Sequence, residues 1–388
     1  MADMDSVLYS IAAFICALFV LEFGADKFID QTAILAKRTG IPEGLIALLT
    51  AGAEWEELAV VVFAIARGRN SLALGNVVGS AISNILGAFS LGLLFSGTAG
   101  DGLSFDASSK RYTILQLAIT ILAAVSLGLR EHLHLRVIGI ALIAIFVLYV
   151  GSIFWAIRKG LVTGPELSES DNDSESASES DEEINHPGTL AGTTSAYGTF
   201  NGQSTHPAHN SSSSAEAQPL TGENTGLFPK ATRHSPAYHL LHLLVGFLSL
   251  LISAYVLTHA ATTLLDQLGL SDEVFGLVVL SITTTLPEKL IASLSGLRGQ
   301  TGIMVANTVG SNIFLLTLCL GIVWVSPYNG DSHAAIGAIE LITLVASSAA
   351  MCVVVFTRRT VAKGLGLGFL VAYFAFLSLE ITFMRHDG

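Results

Sequence analysis

Gly75-Asn76-Val77-Val78-Gly79-Ser80-Ala81-Ile82 is read a second time as Ala306-Asn307-Thr308-Val309-Gly310-Ser311-Asn312-Ile313. A glutamate stands nineteen residues before each Asn, Glu57 and Glu288. Arg-Gly follows ten residues after each glutamate, at Arg67-Gly68 and Arg298-Gly299. One offset, 231, maps every pair. An acidic and polar motif repeated inside apolar segments points to a membrane transporter built from two halves.

The surrounding chain has the solvent preference this reading needs. Mean hydropathy is +0.63. Only 13% of residues are charged, about half the share in soluble domains. Ten apolar runs approach the ~20 residues that cross a bilayer. They are Val7–Phe28, Pro42–Ala66, Leu72–Phe95, Tyr112–Leu127, Leu135–Ile157, Tyr238–Leu265, Val274–Leu297, Ile303–Val325, His333–Phe356 and Lys363–Met384. The first run is read as a span rather than a signal peptide, because Met1–Ser6 has no basic residue and no small-residue cleavage site follows. Cys16, Cys319 and Cys352 lie in apolar runs and read as small packing residues.

Between the fifth and sixth runs the material changes. Residues 160–229 hold eleven acidic residues and no Lys or Arg, and the rest of the chain is near neutral at −1. With few aromatics and no apolar periodicity, the 160–235 linker cannot offset its ordering entropy and is expected to be disordered. Serines flanked by acids, as in Ser168-Glu169-Ser170-Asp171, would also suit an acid-directed kinase. The expected organisation is a first membrane repeat over 1–159, the linker, and a second repeat over 236–388. The fold class is all-α and polytopic, about ten transmembrane helices as two five-helix repeats. An odd count per half inverts one against the other.

Basic residues give the orientation. With the N-terminus outside or lumenal, thirteen Lys and Arg fall on the cytosolic side and five on the other, which places the linker in the cytosol. Asn172-Asp173-Ser174 and Asn210-Ser211-Ser212 are glycosylation sequons. Both should therefore stay unmodified; a glycosidase-sensitive mass shift that vanishes on Asn172→Gln or Asn210→Gln would overturn the orientation.

The ionisable groups concentrate in the second and seventh runs. A carboxylate at mid-membrane costs several kcal/mol, about 3 on insertion scales, unless paired or hydrated. In Thr283-Thr284-Thr285-Leu286-Pro287-Glu288 three poor helix formers precede a proline, which breaks the helix upstream of Glu288. A broken helix at this depth is tolerated where it lines a cavity. Thr284 and Thr285 hydroxyls, freed carbonyls and Glu288 are hard oxygen ligands suited to Na⁺ or Ca²⁺. Lys289 is the neighbouring cation, but adjacent helical residues point about 100° apart and do not face each other. In the first copy Gly52 can loosen the helix where Pro287 does so in the second. Glu54, Glu57 and Val61 fall on one helical face at i, i+3, i+7, while Glu56 points elsewhere. Gly79 and Gly310 permit close helix approach. Ser80, Ser311 and Asn84 add neutral oxygens, and Asn76 and Asn307 open the repeated turns.

These residues resemble the alpha-repeats of the calcium/cation antiporter superfamily, the sodium/calcium exchanger family in particular. That family's pattern is Gly-Thr-Ser-x-Pro-Glu/Asp, then about nineteen residues on Gly-Asn-x-x-Gly-Ser-Asn/Ala-x-x-Asn. Both motifs occur in both halves here. The resemblance implies a ten-helix antiporter fold and alternating-access exchange of Ca²⁺ for Na⁺ or H⁺, with no cofactor and with the bilayer and the transported cations as partners. The chain departs from the pattern in the first copy, where Thr-Ser becomes Ala53-Glu54 and Pro becomes Glu56, and in the second, where Leu315 replaces an Asp or Asn. Counting back from Arg67-Gly68 and Asn76 matches Glu57, not Glu56, to Glu288. Crowded carboxylates repel one another's charge, which favours proton binding, and the counter-ion stays open between Na⁺ and H⁺. A membrane enzyme would need a nucleophile-base pair or a metal-ligand cluster; the histidines sit mostly in loops, and neither His-Glu-x-x-His nor Gly-x-Ser-x-Gly appears. Nothing points to nucleic acid. A channel or a non-transporting sensor that kept the fold is the alternative.

Overall fold

The computed structural model describes residues 4–38, 54–96, 105–158, 236–326, 336–357 and 362–384. The described residues are helical with short turns and contain no strand, as expected where the bilayer leaves backbone groups no water to bond. The helices are α1 (Met4–Arg38), α2 (Trp55–Ala66), α3 (Asn70–Phe95), α4 (Ala107–Gly128), α5 (Leu135–Arg158), α6 (Pro236–Leu268), α7 (Asp272–Thr284 continuing as Leu286–Leu297), α8 (Thr301–Val325), α9 (Ala338–Phe356) and α10 (Ala362–Met384). Eight are long and apolar enough to cross a membrane, and the two parts of α7, bent by 47°, make a ninth span. The tenth expected span, Pro42–Ala66, is described only as α2; its first part, with Gly52, lies outside the described residues. The 160–235 linker, with its kinase-suited serines and both sequons, also lies outside them.

The sequence offset carries over into the helices. Trp55–Ala66 and Leu286–Leu297 start and stop 231 residues apart, and α3 and α8 begin at the same separation, as do α4 and α9. This register pairs Glu57 with Glu288. The equivalent helices α1 and α6 run in opposite directions. A Cβ on Gly24 of α1 would meet the backbone of Ser249 and Leu250, and one on Gly246 of α6 would meet that of Lys27 and Phe28. Advancing along α1 thus means retreating along α6, as an inverted repeat requires.

Burial sorts the helices into a centre and a lipid-facing rim. Within their most apolar stretches α3 is 89% buried and α8 78%, whereas α5 is 11%. The rim exposes large apolar side chains such as Phe19, Leu148 and Phe374, the arrangement that lipid favours. At one end of the bundle Arg69, just before α3, donates to Asp266 (2.5 Å) at the end of α6 and to Asp272 (3.0 Å) at the start of α7, tying the first half to the second. Exposed pairs of this kind contribute about 0–1 kcal/mol each.

Candidate cation site between the two repeats

α3 and α8 cross at the internal two-fold. The Asn312 side-chain amide donates to the Ala81 carbonyl at 3.1 Å, and these residues are 231 apart. Positions related by a two-fold can touch each other only close to its axis. Just past this crossing both helices widen into π-helical turns, Ser83–Phe89 and Phe314–Cys319, which begin one offset apart. Such turns interrupt regular bonding and recur at functional sites. Nothing in the sequence had singled them out.

α7 breaks where the sequence predicts. Thr285 leaves helical geometry (φ −95°, ψ 19°), and Pro287 sits in the first turn of the following half-helix, where its missing N–H costs nothing. Gly79 lets α3 press against the first half of α7: a Cβ there would stand 2.4 Å from the Leu277 carbonyl oxygen. Gly310 stands at the equivalent turn of α8; the segment that symmetry pairs with it lies outside the described residues.

Four carboxylates are buried around the axis: Glu57 at 0% exposure, Glu54 at 2%, Glu288 at 6% and Glu56 at 8%. Glu57 lies within electrostatic range of Glu54 and Glu288. Glu54 is not on the regular face that its spacing suggested. It is the residue before α2 (φ −83°, ψ 78°), so the non-helical backbone, not i, i+3 periodicity, turns it inward. There it accepts from Asn84 Nδ2 at 3.0 Å and has Ser311 beside it. Glu56 lies within electrostatic range of Glu22 and Asp26 of α1 and of Glu54, Glu57 and Glu288. It has polar neighbours within the protein rather than a lipid face.

The site oxygens fall into two groups. Glu54 Oε2, both Glu57 oxygens, Glu288 Oε2, Ser80 Oγ, Asn84 Oδ1 and Asn76 Oδ1 are buried with no hydrogen-bond partner. Unpartnered buried polar atoms are costly, and four of these belong to Glu54, Glu57 and Glu288, which lie within electrostatic range of one another, an arrangement that added positive charge would complete. Among the described residues no three His, Cys, Asp or Glu side chains converge as a metal-holding group on their own. A cation here would draw on hydroxyl and amide oxygens as well as carboxylates. Asn307, on the equivalent turn of α8, is buried with its side-chain nitrogen unpartnered.

The second group is already engaged. Thr284 Oγ1 turns back to the Leu280 carbonyl at 2.9 Å. Thr285 Oγ1 donates to the Ser281 carbonyl at 2.5 Å and meets Ser83 Oγ at 2.9 Å. It also accepts from Lys289 Nζ. That ammonium donates further to Ser83 Oγ at 2.9 Å, the Thr285 carbonyl at 3.1 Å and the Ile282 carbonyl at 3.4 Å. The Tyr373 hydroxyl of α10 donates to Ser83 at 2.8 Å. Sequence reading missed Ser83 and Tyr373, and took Lys289 only as the neighbour of Glu288. The available signal was that Lys289 follows Thr285 by four residues, one turn along the half-helix.

A family model described as Sodium/calcium exchanger protein matches residues 9–155 and 238–382, skipping the linker and taking in every residue of the site. CaxA of Alkalimonas amylolytica, described as a candidate antiporter, is 26% identical over 309 residues, which span 79% of this chain and 77% of CaxA. Sodium/potassium/calcium exchanger 1 of Gallus gallus is 29% identical over 140 residues, 33% of this chain and 20% of that protein. Among solved structures, the sodium-calcium exchanger NCX_Mj soaked with Na⁺ and Sr²⁺ matches with TM-score 0.53 and 18% identity, covering 96% of this chain and 99% of its own. Native YfkE matches with TM-score 0.60 and 15% identity, covering 98% and 93%. At these identities the structural matches establish a shared fold.

Proposed function

The chain belongs to the sodium/calcium exchanger protein family, and on that premise we propose that it is a secondary-active antiporter exchanging Ca²⁺, or a related cation, for Na⁺ or H⁺ by alternating access. The observation that carries this reading is the set of buried, unpartnered oxygens that both repeats contribute at the two-fold. Glu57 and Glu288 are the central ligands, with Glu54, Ser80, Ser311 and Asn84 as further oxygens, while the Thr284 and Thr285 hydroxyls at the helix break are engaged within the protein. Carboxylates in a water-poor interior repel one another, so the site is stable only with cationic charge in it. That condition is met by a bound divalent ion or by counter-ions and not by an empty site, which is the requirement for exchange. Related features of the reading are an N-terminus outside or in the lumen, a cytosolic linker over 160–235, and repeats over 1–159 and 236–388.

The deciding experiment is Ca²⁺ flux in reconstituted vesicles with Na⁺ and H⁺ gradients imposed separately. Exchange requires that an opposing gradient of one counter-ion drive Ca²⁺ uphill. Flux that only dissipates a Ca²⁺ gradient would instead favour the channel reading. Glu54 occupies the position that Thr285 holds in the second repeat and supplies a carboxylate where the family has a hydroxyl. Glu54→Ser removes one charge that a proton can neutralise, so uptake by the variant should depend less on the pH gradient and more on Na⁺. Unchanged counter-ion dependence would remove Glu54 from the pocket.

A further inference from the structure

We propose that Lys289 is a tethered monovalent cation that fills a subsite beside the cargo-binding oxygens and so denies that subsite to free Na⁺. The inference rests on the antiporter reading above for what the site carries, but its geometry stands by itself.

The Lys289 ammonium is surrounded by two hydroxyls and two carbonyls: Ser83 Oγ, Thr285 Oγ1, Thr285 O and Ile282 O. Four neutral oxygens without a carboxylate are a shell suited to an alkali cation. The hydrogen-bond directions fit a cage for positive charge. Tyr373 donates into Ser83, and the Thr285 hydroxyl proton is spent on the Ser281 carbonyl. The Ser83 proton can then go to Thr285, which leaves a lone pair of each hydroxyl for the ammonium. The ammonium also takes the Ile282 carbonyl, one turn before the helix break. None of these cage oxygens is unpartnered, in contrast with the open set on Glu57, Ser80 and Asn84. Among the described residues no salt bridge joins Lys289 to Glu288, yet Glu288, Glu57 and Glu54 all lie within its electrostatic range. Its charge is therefore placed to serve the carboxylate cluster without occupying it.

The fold does not require a lysine here. The equivalent residue of the first repeat is Leu58, and the equivalent of Ser83 is Phe314, whose ring packs edge-on to Trp55 and Phe146. The cage is thus present in one repeat only. Room for the lysine arm comes from Gly87, where a Cβ would stand 3.1 Å from Lys289 Cε.

Shortening Lys289 should empty the cage and let Na⁺ in. The test uses the purified full-length protein in detergent, melted in NaCl against choline chloride of equal ionic strength. Wild type sets the baseline, with any Na⁺-specific shift coming from its cargo oxygens alone. Lys289→Ala should add about 2–4 °C to that shift at Na⁺ tenfold above half-saturation, and Lys289→Ala with Ser83→Ala should lose that addition. Lys289→Ser serves as the second variant if Lys289→Ala does not yield a monodisperse protein. A folded variant whose Na⁺-specific shift does not exceed that of wild type overturns the proposal. No transport is needed for this readout. Failure of gradient-driven Ca²⁺ flux would count against the antiporter reading alone, and failure of the Na⁺ shift against the tethered cation alone.

Discussion

Replacing Glu57 or Glu288 by glutamine is expected to bring gradient-driven Ca²⁺ uptake into reconstituted vesicles down by at least about a hundredfold, or ~2.7 kcal/mol. The two residues hold equivalent positions in helices that share one register, and both are buried at the axis where the repeats meet. A carboxylate oxygen touching a divalent ion contributes several kcal/mol at an effective dielectric of about 20. Glutamine keeps the shape and one oxygen but loses the charge, and it adds amide protons that repel a cation. Neither Glu57 oxygen accepts a hydrogen bond, so no donor is orphaned by glutamine and the folded state should survive the change. Glu56→Gln is the internal comparison. Glu56 lies within electrostatic range of Glu22 and Asp26 of α1 as well as of Glu54, Glu57 and Glu288, but it stands outside the register that pairs Glu57 with Glu288, so its loss should reduce uptake less. Near-wild-type uptake by Glu57→Gln or Glu288→Gln, measured on protein that elutes as wild type does, would sink the assignment of the central ligands.

The sequence revealed most where the membrane itself constrains structure. A bilayer admits little besides helices, so the ten apolar runs could be read directly from hydropathy, and nine of them are helices long and apolar enough to span among the described residues. The doubled motif gave the register, and the count that paired Glu57 with Glu288 agrees with the ends of Trp55–Ala66 and Leu286–Leu297. What escaped depends on local departures from regular helix and on contacts between distant segments. Glu54 points inward because it precedes its helix, which periodicity assumes away. Lys289 was set aside because it cannot face Glu288, its neighbour. The relevant partner was Thr285, exposed by the break, together with Ser83 and Tyr373 from α3 and α10. Thr285 consequently serves an ammonium in this structure, whereas its hydroxyl alone suggested an open ligand. The π-helical turns after Ser83 and Phe314 left no compositional trace.

Adding a single methyl group at Gly79 should be among the most damaging substitutions outside the carboxylates. Its Cβ would lie 2.4 Å from the Leu277 carbonyl oxygen, 2.7 Å from Leu277 Cα and 2.8 Å from Ser281 Cβ. Two of these atoms are backbone, so no rotamer change relieves the clash and α3 must move away from the first half of α7. Overpacking of this kind costs about 1–3 kcal/mol. The displacement also falls next to Ser80 on one helix and Ser281 on the other, and Ser281 is the acceptor that anchors Thr285 at the break. Gly368→Ala makes the same chemical change within α10, at a position where a Cβ meets nothing within 4 Å. There alanine should stabilise the helix by up to about 1 kcal/mol. Thermal melting of the two variants in one detergent separates packing from propensity: Gly79→Ala should melt several degrees below wild type and Gly368→Ala at or above it. Ca²⁺ uptake should fall only in Gly79→Ala, because only there do the oxygens of the two repeats lose their mutual placement. Equal melting of both variants would mean that the α3–α7 contact does not hold the site together.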